Sequence, residues 1–405
     1  MGVLQNIPIA DYTYELPEHR IAKYPLPVRD ASKLLVFGNG TISQQRFNDL
    51  PKLLPENGLL VLNNTKVIHA RLLFSKPTGA AIEIFVLEPY FPADYQQAFA
   101  ATTSCVWKCL IGNKKKWKTG ALTKNIVLEQ QNANLSAEIE METAEAVWVR
   151  FTWDNAALSF AEILAADGKI PLPPYLNRPA ELLDEERYQT VYGDIHGSVA
   201  APTAGLHFTD TVMSDLQLQG IDTAQISLHV GAGTFKPVSG NNAACHNMHR
   251  EHFSVGIDCL KQLHGNLGNI SLTGTTTMRC VESLYWLASK ITMGERDLYV
   301  DQWDDQRIEP KFSAAEAIEV LIEYLEKNRL HQLSSSTAIM IVPGYTFRFA
   351  NRLITNFHQP RSTLLLLVAA FVGNDWRNIY QYALDNDFRF LSYGDSTLLF
   401  GKSSD

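Results

Sequence analysis

Long apolar runs are missing from this chain. The longest, Leu364–Val372, falls far short of the roughly 20 residues a membrane helix requires, so it reads as a buried helix and no membrane association is expected. Cysteine is scarce: Cys105, Cys109, Cys245, Cys259 and Cys280 make five, with no close CxxC pair. An odd, scattered set suggests neither a disulfide framework nor a thiolate zinc site, and it favours a reducing compartment. The opening MGVLQNIPIADYTYELP has neither a basic start nor a continuous apolar core, so no export signal is expected and the location expected is cytoplasmic. Positive charge is also in deficit, the net charge being −8, so no global basic field advertises nucleic acid. There is no internal repeat and no low-complexity tract. What remains is a folded composition, 46% hydrophobic and 10% aromatic, over 405 residues. That length suits two or three domains.

Apolar patterning organises the chain. Proline-punctuated loops around Leu16–Pro17 and Tyr24–Pro27 precede strand-like runs at Leu34–Phe37 and Leu59–Leu62. From about Val67 the texture changes to short β-patterned runs: Arg71–Phe74, Ile82–Leu87, Ser104–Ile111, Ile126–Leu128, Leu135–Glu140 and Ala146–Phe151. Closely spaced strands without an intervening helix predict a small antiparallel barrel or sandwich. Helical patterns return after Thr152. One is capped by Asp154 and runs to Gly168; Asp210–Gly220, Asp258–His264 and Met278–Lys290 follow, then Ala314–Asn328 behind a Ser313/Glu316 capping box. They alternate with strand-like runs at Ala224–Val230, Ile270–Thr273, Ala338–Val342 and Ser396–Phe400. The fold class expected is α/β: a mixed-sheet α/β main domain (residues 1–66 and 152–405) with an inserted small antiparallel β-barrel domain (residues 67–151).

Several segments hold residues that packing does not ask for. They are VAAPTAGLHF, SLHVGAGTFKPV, HNMHREHF (His246–Phe253), TGTTTMRCVES (Thr273–Ser283) and ITNFHQPRSTLLLL (Ile354–Leu367). Polar side chains on loops held by apolar elements are how active sites are usually built. Gly231 and Gly233 after an apolar strand invite a dinucleotide fingerprint. It fails, because Lys236 stands where a third glycine is needed and Pro237 follows where a helix should be under way. A glycine loop approaching a ligand, or a plain tight turn, is left. On a helix, His246, His249 and His252, with Cys245 and Glu251, could converge on a metal. The rival reading makes His249 and Glu251 acid/base or substrate-orienting groups. His207, His229 and His358 each sit beside Gly, Pro or Asn, where a structural role and a catalytic one are both open. Arg279 and Glu282 share a helix face just after Thr275–Thr277, as a surface ion pair or beside a helix N-terminus that favours anions. Ser362 and Thr363 open another helix, as a cap or an anion site.

Between Tyr95 and Leu128 there is no acidic residue, while Lys108, Lys114, Lys115, Lys116, Lys118 and Lys124 are present and Trp107 and Trp117 interleave. Lysines neutralise phosphates and indole faces stack on unpaired bases. RNA contact is therefore expected at Lys114, Lys115, Lys116, Trp117 and Lys118, with Lys66 and Arg71; a solvated turn is the bland alternative.

Read in order, ELPEHRIAKYPLPVRDASKLLV, LVLNNTKVIHARL, GKIPLPPYLNRP, VAAPTAGLHFT, SLHVGAGTFKPV, HNMHREHF, GTTTMRCVES, PGYTFR, LITNFHQPRSTLLLLVAAF and RFLSYGDS span nearly the whole chain. This series resembles the S-adenosylmethionine:tRNA ribosyltransferase-isomerase family of queuosine biosynthesis. The resemblance implies an α/β domain with an inserted β-barrel, and transfer and isomerisation of the ribosyl part of S-adenosylmethionine onto 7-aminomethyl-7-deazaguanine at a tRNA wobble position. It further implies release of adenine and methionine, an anticodon stem-loop as partner, a monomer, no metal, and no cofactor beyond S-adenosylmethionine consumed as substrate. On that reading Glu251 and His249 are the first candidates for proton transfer, with His207, His229 and His358 as rivals. Gly205, Gly231 and Gly233 would let backbone approach the nucleoside. Thr203, Thr234, Thr276 and Asn356 would orient ribose or methionine, and Arg279 would hold a carboxylate or phosphate. The chain departs from the family pattern at His69 and Gln359, where Pro and Leu are usual, and at Lys33 and Lys66, where Arg is usual; Lys cannot reproduce a bidentate arginine contact. Two other classes are a metal-dependent hydrolase using His246 and His249, and a non-catalytic tRNA-binding module.

Overall fold

A computed structural model describes residues 6–128, 131–143, 146–231 and 240–401. Strands β1 (Lys33–Gly38), β2 (Thr41–Arg46), β3 (Leu59–Asn63) and β4 (Thr65–Val67) come first. Six strands follow, with one short helix, Tyr95–Ala100, between the second and third where the sequence pattern predicts none: β5 (Arg71–Ser75), β6 (Ala81–Phe91), β7 (Ser104–Gly112), β8 (Leu122–Leu128), β9 (Gln131–Glu142) and β10 (Val147–Trp153). The chain then continues through β11 (Ile195–Ser198), β12 (Asp222–His229), β13 (Glu251–Gly256) and β14 (Ile270–Thr273). It finishes with β15 (Gln332–Thr337), β16 (Arg352–Asn356) and β17 (Ser396–Phe400).

Nine of these strands form one mixed sheet in the order β15-β13-β12-β3-β14-β16-β17-β1-β2. Its centre, β12-β3-β14-β16, is parallel. Parallel strands need both faces covered, and β3, β14 and β16 are buried along their whole length. On one face the helices Thr275–Thr292, Ala314–Lys327 and Ile257–Gly265 close the largest core. On the other, Leu60, Leu62 and Ile354 pack with Phe47, Phe208 and the helix Asp210–Leu218. The fold is mixed α/β, as expected. No helix among the described residues is long and apolar enough to cross a membrane.

These strands form a six-stranded antiparallel sheet, β5-β6-β7-β10-β9-β8, curled until its outer strands meet. Lys124 of β8 donates to the Leu73 carbonyl of β5 at 2.8 Å, so the barrel is nearly closed. Alternating inward residues, among them Leu72, Ile84, Trp107, Leu135 and Val149, fill it, and Phe160, Ile163 and Leu164 of the helix Phe160–Asp167 join that core.

Several expected elements shift for physical reasons. The helix after Thr152 starts at Phe160 behind Ser159, whose hydroxyl and backbone N–H form a capping box with Glu162. Asp154 instead accepts from the backbone N–H of Asn134 at 2.8 Å. The helix expected at Met278–Lys290 begins three residues earlier, at Thr275, and residues 275–290 are all buried. The apolar run Ala338–Val342 makes no strand. The backbone N–H groups of Ala338 and Met340 bond to Val300 and Gln302, and the neighbouring strand is the serine-rich β15. The helix that would gather His246, His249 and His252 does not form. His246 ends a 3-10 turn, and His252 lies on β13.

Candidate active site

A cleft of about 760 Å³, counting its open mouth, lies where β12, β14 and β16 end. The C-terminal edge of parallel strands is where open α/β sheets bind ligands. Three distant motifs converge there, supplying Thr203 with Pro202, then Gly274 with Thr276, then Asn356 with His358 and Ser362. Each is aimed by local structure. Gly274 has φ of +93°, a conformation few other residues tolerate, and it turns the end of β14 directly into the helix Thr275–Thr292. The free N–H groups of that first turn therefore border the cleft. Ser362 caps the helix Thr363–Val372 by accepting from the Leu365 N–H at 3.2 Å. A second helix N-terminus thus faces the same space.

The described residues lining the cleft include no Lys, Arg, Asp or Glu. Its one imidazole, His358, is buried; that burial pushes its pKa down to about 3, so it is neutral at physiological pH. Its Nε2 lies 3.0 Å from Thr355 Oγ1, and its backbone N–H donates to the Tyr380 hydroxyl at 3.1 Å. Asn356 is buried, and its Nδ2 donates to His207 Nε2 at 3.2 Å. His207 Nδ1 lies 3.0 Å from Ser32 Oγ. With Nε2 accepting, the remaining ring proton sits on Nδ1 and points at Ser32, an assignment made from the hydrogen-bond network. Burial also pushes His207 down to about 4. His207 is thus a neutral group behind Asn356, and the Asn356 Oδ1 has no partner among the described residues.

Other expected site residues lie elsewhere. Glu251 and Arg279 form a buried ion pair at 2.5 Å, and Arg279 Nε donates to the Ile339 carbonyl at 2.9 Å. Neither lines the cleft. Glu282 does not pair with Arg279. It is fully buried and accepts the backbone N–H groups of Arg348, Phe349 and Ala350 and the Tyr345 hydroxyl. Its role here is to hold that loop. His229 faces the opposite side of β12, stacked on Tyr95, and burial pushes it down to about 4. His249 is exposed. Gly205 packs under Tyr192, whose hydroxyl would lie 2.0 Å from an added Cβ, so closeness to another side chain explains this glycine. No described residue crowds Gly231, and Thr363 is the first residue of its helix. Gly233 and Thr234 lie outside the described residues.

The lysine-rich turn needs one correction. Trp117 and Trp107 are fully buried, and Trp117 Nε1 donates to the Gly120 carbonyl at 2.9 Å. Apolar indoles filled the barrel rather than its surface, so neither can stack on a base. Lys115, Lys116 and Lys118 are exposed, whereas Lys114 pairs with Glu142 at 2.9 Å and Arg71 with Glu83 at 3.4 Å. Lys66 is half-buried on β4. Among the described residues no group of three or more His, Cys, Asp or Glu could hold a metal ion. Sequence reasoning missed Ser32 and Gly274. Gly274 carried a usable signal, as a glycine between an apolar strand and a run of threonines; Ser32 carried none.

A cleft at the carboxyl ends of parallel strands, faced by two helix N-termini, is the ligand site of the open α/β-sheet class. Residues 9–399 match the family model described as queuosine biosynthesis protein. The S-adenosylmethionine:tRNA ribosyltransferase-isomerase of Azoarcus sp. is 36% identical over 97% of this chain and 98% of its own. That of Syntrophomonas wolfei is also 36% identical, over 96% of this chain and 97% of its own. A solved structure, the S-adenosylmethionine tRNA ribosyltransferase of Thermotoga maritima, is 26% identical, with 96% of this chain and all of the other covered and a TM-score of 0.46. The chain belongs to the queuosine biosynthesis family of transferase-isomerase enzymes.

Proposed function

We propose that this chain transfers and isomerises the ribosyl moiety of S-adenosylmethionine onto 7-aminomethyl-7-deazaguanine at the tRNA wobble position. Epoxyqueuosine-tRNA forms, and adenine and methionine leave. The reading rests on family membership joined to one observation, the absence of fixed charge among the described cleft residues. S-adenosylmethionine brings a sulfonium cation, and the described lining residues carry no ammonium or guanidinium group to repel it. The methionine carboxylate suits the N-terminal turn at Gly274–Thr276, where backbone N–H groups favour anions.

In this reading the sulfonium acidifies the ribose C5′ hydrogens and a base removes one. His358 lines the cleft as a neutral hydrogen-bonding group, since an imidazole held at about 3 is too weak a base to take that proton. Thr203, Thr276 and the free Oδ1 of Asn356 orient ribose and methionine. Glu251 becomes a partner of Arg279 rather than the base. S-adenosylmethionine is consumed, and no other cofactor takes part. The RNA partner is the anticodon stem-loop, the enzyme acts as a monomer, and free thiols at all five cysteines support a cytoplasmic setting. The test is label transfer. Ribosyl-labelled S-adenosylmethionine should label tRNA bearing the aminomethyl deazaguanine but not tRNA with guanine there. Equal labelling, or none, contradicts the reading.

A further inference from the structure

The strands β12, β13 and β15, the last at the sheet edge, bury one face and, among the described residues, leave much of the other open. On the buried side lie Ile226, Leu228, Phe253, Val255 and Leu333. On the open side the register builds polar rows across the three strands. His229 pairs with His252 and His252 with Ser336; Ser227 pairs with Ser254 and Ser254 with Ser334. A solvated sheet face needs no such composition, and β-branched or long charged residues are the commoner outward choices.

Flat groups wall this face. On one side Tyr95, from the helix Tyr95–Ala100, stacks on His229 with ring centroids 4.0 Å apart and planes 3° apart. On the other the Arg250 guanidinium lies over the Tyr299 ring at 4.0 Å. Between them is an open trough of about 1290 Å³, counting its mouth. Gly197 makes the first wall possible. At φ of +145° its missing Cβ would meet the His229 ring at 2.5 Å. The trough also adjoins the reaction cleft. His229 lines one and the next residue, Val230, lines the other.

We infer that this trough docks single-stranded RNA nucleotides flanking the wobble base, through base stacking and ribose hydroxyl contacts. The inference rests on the ribosyl-transfer reading for the identity of the RNA. Its chemistry is independent of that reading. Rim charges are mixed, since Asp94 and Asp297 stand against Arg250, and Arg250 itself lies 3.5 Å from Asp301. Such a surface does not neutralise a run of phosphates. Serine hydroxyls and neutral imidazoles instead donate to and accept from 2′-hydroxyls and base edges, and planar side chains offer faces for stacking. A protein partner would gain little here, because the floor is polar and lacks apolar anchors.

The test is direct binding of a fluorescent anticodon stem-loop to the full chain, which does not require turnover. Ser254→Glu and Ser334→Glu each place a carboxylate on the trough floor at a site that is not fully buried. Each should raise the stem-loop Kd about tenfold, the scale of losing one stacked or well-bonded nucleotide. Unchanged melting and an unchanged Kd for S-adenosylmethionine should accompany the loss. Replacing the 2′-hydroxyls beside the wobble position by hydrogen should weaken binding to the wild type. Unchanged stem-loop Kd in both variants overturns the inference. So does a loss seen with Lys116→Glu in their place, which moves the RNA to the lysine turn. A wild type that binds the stem-loop yet releases no adenine refutes the functional reading alone.

Discussion

Asn356 Nδ2 and His207 Nε2 share a hydrogen bond of 3.2 Å that joins the end of β16 to the VAAPTAGLHF segment. Through Ser32 the contact reaches the N-terminal part of the chain. His207 therefore sets which way the Asn356 amide faces, leaving its oxygen for a ligand. His207→Ala should lower kcat about tenfold or more, because losing a buried hydrogen bond costs about 1–3 kcal/mol. His207→Gln, which keeps an acceptor, should recover part of it. With His207 down at about 4, wild-type activity between pH 6 and 8 should not follow its titration. A kinetic pKa in that range that disappears in His207→Gln would contradict the positioning role.

Stability should fall in mild acid. His207 and His358 are held at about 4 and about 3 by burial, below the value of about 6.5 for a free imidazole. Between those limits the unfolded chain binds protons that the native one does not, so stability rises with pH. Their contribution is complete above about pH 6.5 and is lost as pH falls towards 4 and 3. Each histidine adds up to about 1.4 kcal/mol per pH unit to that slope. Urea unfolding of His207→Asn at pH 6 and pH 5 should show a slope shallower by about that amount.

The buried Glu251–Arg279 pair joins β13 to the Thr275–Thr292 helix. Removing one partner leaves a buried charge, so Arg279→Met should destabilise by about 3–5 kcal/mol. The double variant Glu251→Leu, Arg279→Met should regain much of it. Denaturant midpoints measure both. A single variant as stable as wild type would show that the pair carries no such strain.

Gly197→Ala should displace His229 from Tyr95, since the new methyl would meet the ring at 2.5 Å. Weakened stem-loop binding with unchanged affinity for S-adenosylmethionine is the expected outcome. Gly205→Ala, pressed against the Tyr192 hydroxyl, should lower the melting temperature instead.

Strongly apolar elements are legible in the sequence. Ile270–Thr273 and Ser396–Phe400 have the bounds their apolar runs predict, and Ser313 and Glu316 form the predicted capping box. β15 is not legible, because its outward residues are serines and glutamine and only alternate positions meet the core. Trp107 and Trp117 misled because lysines surround them in sequence, while strand alternation and a tight turn put the indoles inside. Thr203, Thr276, Asn356, His358 and Ser362 were visible as polar residues on glycine- and proline-bearing segments, and they meet in one cleft. Which histidine lines that cleft and which stands behind an asparagine depends on tertiary geometry that no local pattern encodes.

Adenine release is the most direct measure of the central claim. The protein is mixed with S-adenosylmethionine and a stem-loop carrying the aminomethyl deazaguanine, and free adenine and methionine are quantified by chromatography. The wild type should release both in equal amounts, and Thr203→Val and Thr276→Val should do so with KM for S-adenosylmethionine raised about tenfold, the loss of about one hydrogen bond each. No adenine from the wild type, or unaltered KM in both variants, would contradict the placement of the reaction in this cleft.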